Sequence, residues 1–245
     1  MNTKYVFTGL TKVIGNVVLH EIKRFSDGAI GGWIEKESNL DIYGDAWVLG
    51  NAQVSGNARV YGNAEVSGNA RVYGDVWVHD DARVYGNAEV YGNARVYGDA
   101  GVYGNARVYG DVWVHDDARV YGDAWVSGNA RVYGNPRIYG NARIYGDVWV
   151  YGNAQVSGNA RVYDNAQVSG NARVSGKKSW LCFSGLLYHI TVTQQNCAIG
   201  CQLKTHKEWL KVTKKEAIQM GLPDKEFNFF KSLLKQMFKK VIEAK

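Results

Sequence analysis

From Ile42 to Val174 a β-branched residue returns at every sixth position, through 22 unbroken steps. The unit around it reads V-x-G-[N/D]-A-x, as in VSGNAR and VYGDAW. A Val or Ile suits a pleated strand and points inward, which sends its two neighbours, most often Arg and Tyr, outward. Gly followed by Asn or Asp is turn chemistry, because these residues enter positive φ at low cost. Ala beside the turn is small enough for the inside of a corner. A helix is excluded, since a period of six does not match 3.6 and Gly would recur inside it. Hairpins are excluded as well, because strands of about three residues are too short for an array of two-residue turns. The remaining solution is a coil in which three hexads close one triangular turn. Successive coils then pair as parallel strands over buried Val columns. At about 4.8 Å per coil, roughly seven coils make a prism of roughly 35 Å.

Residues 18 apart should therefore stack. One face reads Arg59, Trp77, Arg95, Trp113, Arg131, Trp149, Gln167 before the Val, and Tyr61, His79, Tyr97, His115, Tyr133, Tyr151, Ser169 after it. This is an alternating Arg/Trp row beside a Tyr/His row. A 36-residue duplication produces it, since GDVWVHDDARVYG occurs at 74–86 and again at 110–122. Arg stacks on indole at about 0.5–1 kcal/mol per exposed pair, so the row can simply stabilise a sheet. Trp, Tyr and Arg are also the usual anchors of protein interfaces, so the same row can be a contact surface. The other two faces mix charges and read as solvated.

The hexads divide the chain into 1–41, 42–176 and 177–245. The first segment reads as an N-terminal β cap. TKYVFTG and NVVLHEIKRF are short strands around a Gly15-Asn16 turn, and Trp33 and Ile34 cover the first coil. In the last segment, LLYHITVTQQNCAIGCQLKT reads as a hairpin. Thr205 with Glu208, and Thr213 with Glu216, match capping boxes that start two short helices. Gly221 and Pro223 end the second helix. The final helix starts near Asp224, with an apolar stripe of Phe227, Phe230, Leu233, Leu234, Met237, Phe238 and Val241 at helical spacing. That stripe is expected to cover the last coil or a partner.

Charge follows the same division. The chain carries a net +6. Residues 1–41 are neutral, 42–176 use Arg only and sum to −2, and 177–245 use Lys only and sum to +8. The 3 cysteines, at 182, 197 and 201, give no disulfide framework. No secretory leader or long apolar run is present, so a soluble cytoplasmic protein with no membrane partner is expected.

The V-x-G-N/D-A unit resembles the hexapeptide-repeat superfamily, whose members form single-stranded left-handed parallel β-helices. The left hand comes from that resemblance. The GGWIEKE entry and the IGCQ tail are similar to hexapeptide-repeat proteins of phages and prophages, and to acyltransferase-like β-helix proteins of enteric bacteria. The resemblance implies a homotrimer. Its alternative implication is an acyl-CoA-dependent transferase, with His79 or His115 as general base on an acceptor. Such enzymes usually wall the acceptor site with a loop that breaks the coils, and the hexads here run unbroken.

Carbonic anhydrases of this fold hold zinc with three His, and the repeats supply no third one. Cys197, Cys201 and His206, with Cys182 and His189 nearby, have only loose metal-ligand spacing. No cofactor and no metal are expected. There is no phosphate-binding glycine motif or nucleophile elbow. The reading is a non-catalytic oligomeric binding or scaffold protein. Its partner would be a second copy, a host protein such as a defence factor antagonised by binding, or a nucleotide, with nucleic acid disfavoured.

Overall fold

The computed structural model describes residues 3–163, 166–175, 180–183, 190–193, 196–199, 202–220 and 224–243. Three parallel sheets run the length of the repeats and carry successive hexads in rotation. We call first the face that bears Gln53, Arg71 and Glu89, second the face with Arg59, Trp77 and Arg95, and third the face with Trp47, Glu65 and Arg83. Each strand pairs with the one 18 residues later, as in Arg95 with Trp113 and Glu89 with Arg107. The fold is mainly β, a parallel β-solenoid with helices near its C-terminal end.

Inside, the core is a column of Val and Ile with Ala at the corners, from Val48 to Val174, almost all at 0–1% exposure. Gly fits the corner for two reasons. Gly92 has φ +77°, and a Cβ there would lie 2.8 Å from the amide nitrogen of Gly110 in the next coil. Asparagines tie the corners along the axis. Asn51 donates to Asn69, Asn69 to Asn87, Asn87 to Asn105 and Asn105 to Asp123, at 2.9–3.1 Å.

The solenoid begins earlier than the hexads imply. Strands β1 (Tyr5–Ile14) and β2 (Val17–Arg24) form an antiparallel hairpin, as expected. Strand β3 (Ile30–Ile34) is antiparallel to β2 but parallel to the strand at Gln53–Val54, which puts Ile34 over Val54. Leu40 then bridges Val60 in parallel, and the Asp41 amide donates to the Val60 carbonyl at 2.9 Å. The seat above Val60 is therefore Leu40's, at 1% exposure, while Ile42 is only half-buried beside the core. Eight residues separate Leu40 from Val48, so the regular spacing starts at Val48. Ile42 shares the spacing by coincidence of sequence. The added coil contributes β3 to the first face, which then carries 8 parallel strands, and the solenoid has about eight turns where seven were expected.

Polar side chains fix this entry. Buried Asn39 donates to the carbonyls of Gly56 and Ala58 and accepts from the Lys36 amide. Tyr5, 2% exposed, donates to the carbonyls of Glu37 and Leu40. Burying these groups without partners would cost about 1–3 kcal/mol each.

At the other end, strands Trp180–Phe183, Ile190–Thr193, Asn196–Ile199 and Gln202–Thr205 form a four-stranded antiparallel sheet rather than a lone hairpin. Both capping boxes are formed, at the starts of α1 (His206–Lys211) and α2 (Lys214–Gln219). Gly221 and Pro223, read as the stop of α2, lie outside the described residues. Helix α3 (Phe227–Glu243) follows a 3-10 turn at Asp224–Glu226. Its Phe230, Leu234, Met237 and Phe238 do not cover the last coil. They pack with Ile190, Val192, Cys197 and Trp209 into a second core that shares no residue with the first. Lys231 Nζ donates to the carbonyls of Trp209, Leu210 and Val212, closing the end of α1. No helix among the described residues is long and apolar enough to cross a membrane.

Candidate functional site

The second face carries the Arg/Trp row as one continuous stack. Arg95 lies 5.1 Å from the Trp77 ring centre and 5.0 Å from that of Trp113. Arg131 lies 5.2 Å from Trp113 and 5.3 Å from Trp149. Each guanidinium is thus sandwiched between two indoles. Backbone register enforces this, since Arg95 pairs with both Trp77 and Trp113, and Arg131 with both Trp113 and Trp149. Trp77 is 40% exposed and Trp149 36%.

Beside it runs an unbroken ring stack. Tyr61, His79, Tyr97, His115, Tyr133 and Tyr151 follow one another at 4.6–5.3 Å, with planes within 10° of parallel. Burial raises the phenol pKa of Tyr61, Tyr97 and Tyr133 above the ordinary value, so these rings stay neutral through the physiological range.

Arg59 pairs in register with Trp77 but departs from the stack and lines a groove of about 650 Å³ with Glu37, Leu40, Asp41, Tyr61 and Trp77. The groove follows from the eight-residue step after Leu40, which carries the chain away from the top of this face.

The two histidines sit in a distinctive local structure. Asp80 and Asp116 occupy the corner position that is Gly in most other coils, at φ +58° and +57°. Such a backbone is strained for a residue with a Cβ, though Asp tolerates it better than most. Nδ1 of His79 lies 3.2 Å from the Asp80 carboxylate, and Nδ1 of His115 lies 3.1 Å from that of Asp116. The same carboxylates accept the amides of Gly98 and Gly134 in the next coil, at 3.3 and 3.0 Å. The His115 hydrogen bond and the Gly134 amide hold the Asp116 carboxyl below the usual carboxylate range.

A His whose Nδ1 is oriented by Asp leaves Nε2 as a base, so the chemistry of a proton acceptor is present. Among the described residues no loop interrupts the coils beside them: the strand pairs keep the 18-residue step, and the groove at Arg59 includes neither histidine. Tyr97 also stands between the two imidazoles, at 5.0 and 4.7 Å, so they do not converge on one metal ion. Among the described residues no three His, Cys, Asp or Glu side chains are placed to hold one. Of the cysteines, Cys197 is buried beneath Trp209, which donates to its carbonyl, and burial pushes its thiol well above the ordinary range. Cys201, His189 and the Cys182 side chain lie outside the described residues.

Stacking is not confined to the second face. Tyr73, Tyr91 and Tyr109 stack on the first, Tyr85, Tyr103, Tyr121 and Tyr139 on the third. Trp125 is itself sandwiched by Arg107 and Arg143 at 5.1 and 4.8 Å. The 18-residue spacing of the residue after Val would have revealed these columns. On the first face Glu89 pairs with both Arg71 and Arg107. Arg59, Arg95 and Arg131 of the second face join no ion pair among the described residues. No curated protein matches the chain. Eight segments, at 52–66, 64–80, 82–98, 88–103, 100–116, 137–152, 154–168 and 166–178, match the family described as the YdcK Beta solenoid repeat, and the chain is a β-solenoid protein whose coils are similar to that repeat.

Proposed function

We propose that this chain is a non-catalytic binding and scaffold protein that assembles through its second face, with copies of itself or with a partner protein. The observation that carries the reading is the Trp77–Arg95–Trp113–Arg131–Trp149 stack. It is continuous and partly exposed, and Arg95 and Arg131 join no ion pair among the described residues. Rigid aromatic and Arg side chains lose little conformational freedom on docking, which is why they dominate interface energetics. The superfamily resemblance favours a homotrimer, and its phage-type members suggest a host protein as an alternative occupant.

Trp113→Ala tests this directly. It removes the centre of the stack from the surface while leaving Val114 in the core. Light scattering at micromolar concentration should show an assembled wild type and a largely dissociated variant with unchanged circular dichroism. A monomeric wild type, or a variant that unfolds, would remove the reading.

A second reading, acyl transfer, draws on the two His–Asp pairs and their strained aspartates. Calorimetry with acetyl-CoA tests it, since absence of binding heat and of a thermal shift would leave the pairs as structural features of the corner.

A further inference from the structure

We infer that the groove at the head of the second face is a binding site for a guanine base, taken as the free base or its nucleoside. The site goes beyond the contact-surface reading and does not depend on it. Its volume of about 650 Å³ falls within the roughly 300–1,000 Å³ of small-molecule clefts.

The floor of the groove is the open end of a ring column. Tyr61 stacks on His79 at 4.6 Å, and among the described residues no ring stacks on its other face. An unbroken 18-residue step would seat Tyr43 there. The eight-residue step from Leu40 to Val48 displaces Tyr43, which is 75% exposed. Trp77 likewise carries Arg95 at 5.1 Å, while Arg59, its other partner in register, leaves the stack. The opposite end of these rows differs. There Gln167 pairs in register with Trp149, and Ser169, 5% exposed, follows in the Tyr151 column. At the groove, then, a flat ring stacked on Tyr61 would continue a column that the chain itself breaks off. Tyr61 and Trp77 meet at 76°, so such a ring stands at the same steep angle to the indole.

The polar lining selects the ring. Arg59, Glu37 and Asp41 line the groove together, yet neither carboxylate pairs with Arg59 among the described residues. Asp41 is already engaged, since its side chain accepts the Tyr43 amide at 3.3 Å and the Lys4 ammonium donates to its carbonyl. Asp75, at the corner before Trp77, accepts from Asn57. Glu37 and Arg59 are left to recognise a ligand. A carboxylate accepts two adjacent N–H donors, and a guanidinium donates to two adjacent acceptors. Guanine carries both edges, N1–H beside the 2-amino group and O6 beside N7, whereas adenosine and cytidine offer no pair of adjacent donor groups. Two carboxylates against one guanidinium give a phosphate no surplus positive charge, which favours the base or nucleoside over its nucleotide. The wall that bears Glu37 is fixed from below. Tyr5 donates to the Glu37 and Leu40 carbonyls, and Asn39 ties the turn to Gly56 and Ala58. A preset frame lowers the ordering cost of binding.

Ligand-observed NMR titrations of the full chain with guanosine test the site. Guanosine should bind, and inosine, which lacks the 2-amino group, should bind about tenfold more weakly. Glu37→Gln and Arg59→Met should each weaken guanosine by about tenfold, with circular dichroism unchanged because both side chains are exposed. Trp113→Ala, two coils beyond Trp77, should bind guanosine as the wild type does even where it dissociates an assembly, which separates this site from the contact surface. No binding of guanosine at millimolar concentration would overturn the inference. Equal affinity for guanosine, adenosine and cytidine would overturn it too, as stacking without recognition. So would tighter binding of 5′-GMP than of guanosine, or guanosine affinity untouched by both Glu37→Gln and Arg59→Met.

Discussion

The chain holds two cores built on opposite principles. The solenoid is filled with Val and Ala, and its largest buried side chains away from the entry coil are Ile138 and Ile144. The C-terminal unit packs Trp209, Phe230, Leu234, Met237 and Phe238 around a four-stranded sheet. In the first, no single apolar side chain dominates, because each coil touches only its neighbours and the energy accrues by repetition. In the second, a few large side chains hold everything. The comparison teaches where specificity can reside. A repeat core supplies a straight, regular surface on which side chains stand in rows, so the information lies outside, in the Arg, Trp, Tyr, Asp and Asn columns. The C-terminal unit has its information inside.

The largest effect should therefore follow from cutting the small core. Leu234 is fully buried among Ile190, Val192 and Trp209. Leu234→Ala should cost about 2–5 kcal/mol by lost burial and a residual cavity. The loss should stay local: hydrogen exchange should rise across residues 190–238 while the solenoid amides remain protected. Equal loss of protection in coils near Val96 would show that the two cores unfold as one, and would break the comparison.

What could be read in advance follows the same division. The hexad predicted the stacking of Trp77, Arg95 and Trp113, because a strict period leaves one arrangement once three hexads close a turn. The capping boxes at Thr205 and Thr213 were legible because each is a local exchange of two hydrogen bonds. Leu40 was not legible as the true occupant above Val60, since Ile42 fits the arithmetic equally well and only the entry of β3 into the first face decides between them. Nor was the destination of α3, because an apolar stripe states that a helix is covered without saying by what. The Asn columns were not legible because Asn in a V-x-G-N-A unit already has a reason to be there as a turn residue. The His79–Asp80 and His115–Asp116 pairs were visible as letters, but the positive φ of the aspartates appears only when the corner is built.

The Asn columns give a medium-sized test on the solenoid side. Asn87 accepts from Asn69 and donates to Asn105, each at 3.0 Å on the surface. Asn87→Ala removes both bonds and should lower stability by about 1 kcal/mol, the lower part of the range for two exposed neutral hydrogen bonds. Asn87→Asp should fall between that and wild type, since Asp can still accept from Asn69 but cannot donate onward. This matches the observed columns, where Asp75, Asp111, Asp123 and Asp147 each accept from the preceding coil. Chemical denaturation of the three proteins ranks them, and an Asp variant weaker than the Ala variant would contradict the donor direction.

The smallest effect concerns Asp116 and its pH dependence. Its folded pKa is held down by the His115 hydrogen bond and the Gly134 amide. A carboxylate with a depressed folded pKa contributes stability above its unfolded pKa, and that contribution is lost as pH falls through the folded value. Asp116 is exposed, so solvent screening keeps the contribution well under ~1 kcal/mol. Replacing it with Gly removes those bonds but also relieves the strained φ of +57°. Near neutral pH the two changes oppose each other, and Asp116→Gly should lie within about 1 kcal/mol of wild type. Below about pH 4 the wild type should lose ground relative to the variant, because the bonds weaken on protonation while the strain remains. Thermal melts of both proteins between pH 7 and pH 3 measure the difference. A gap that widens in favour of the wild type on acidification would show that the Asp116 side chain holds the corner by some means other than its charge.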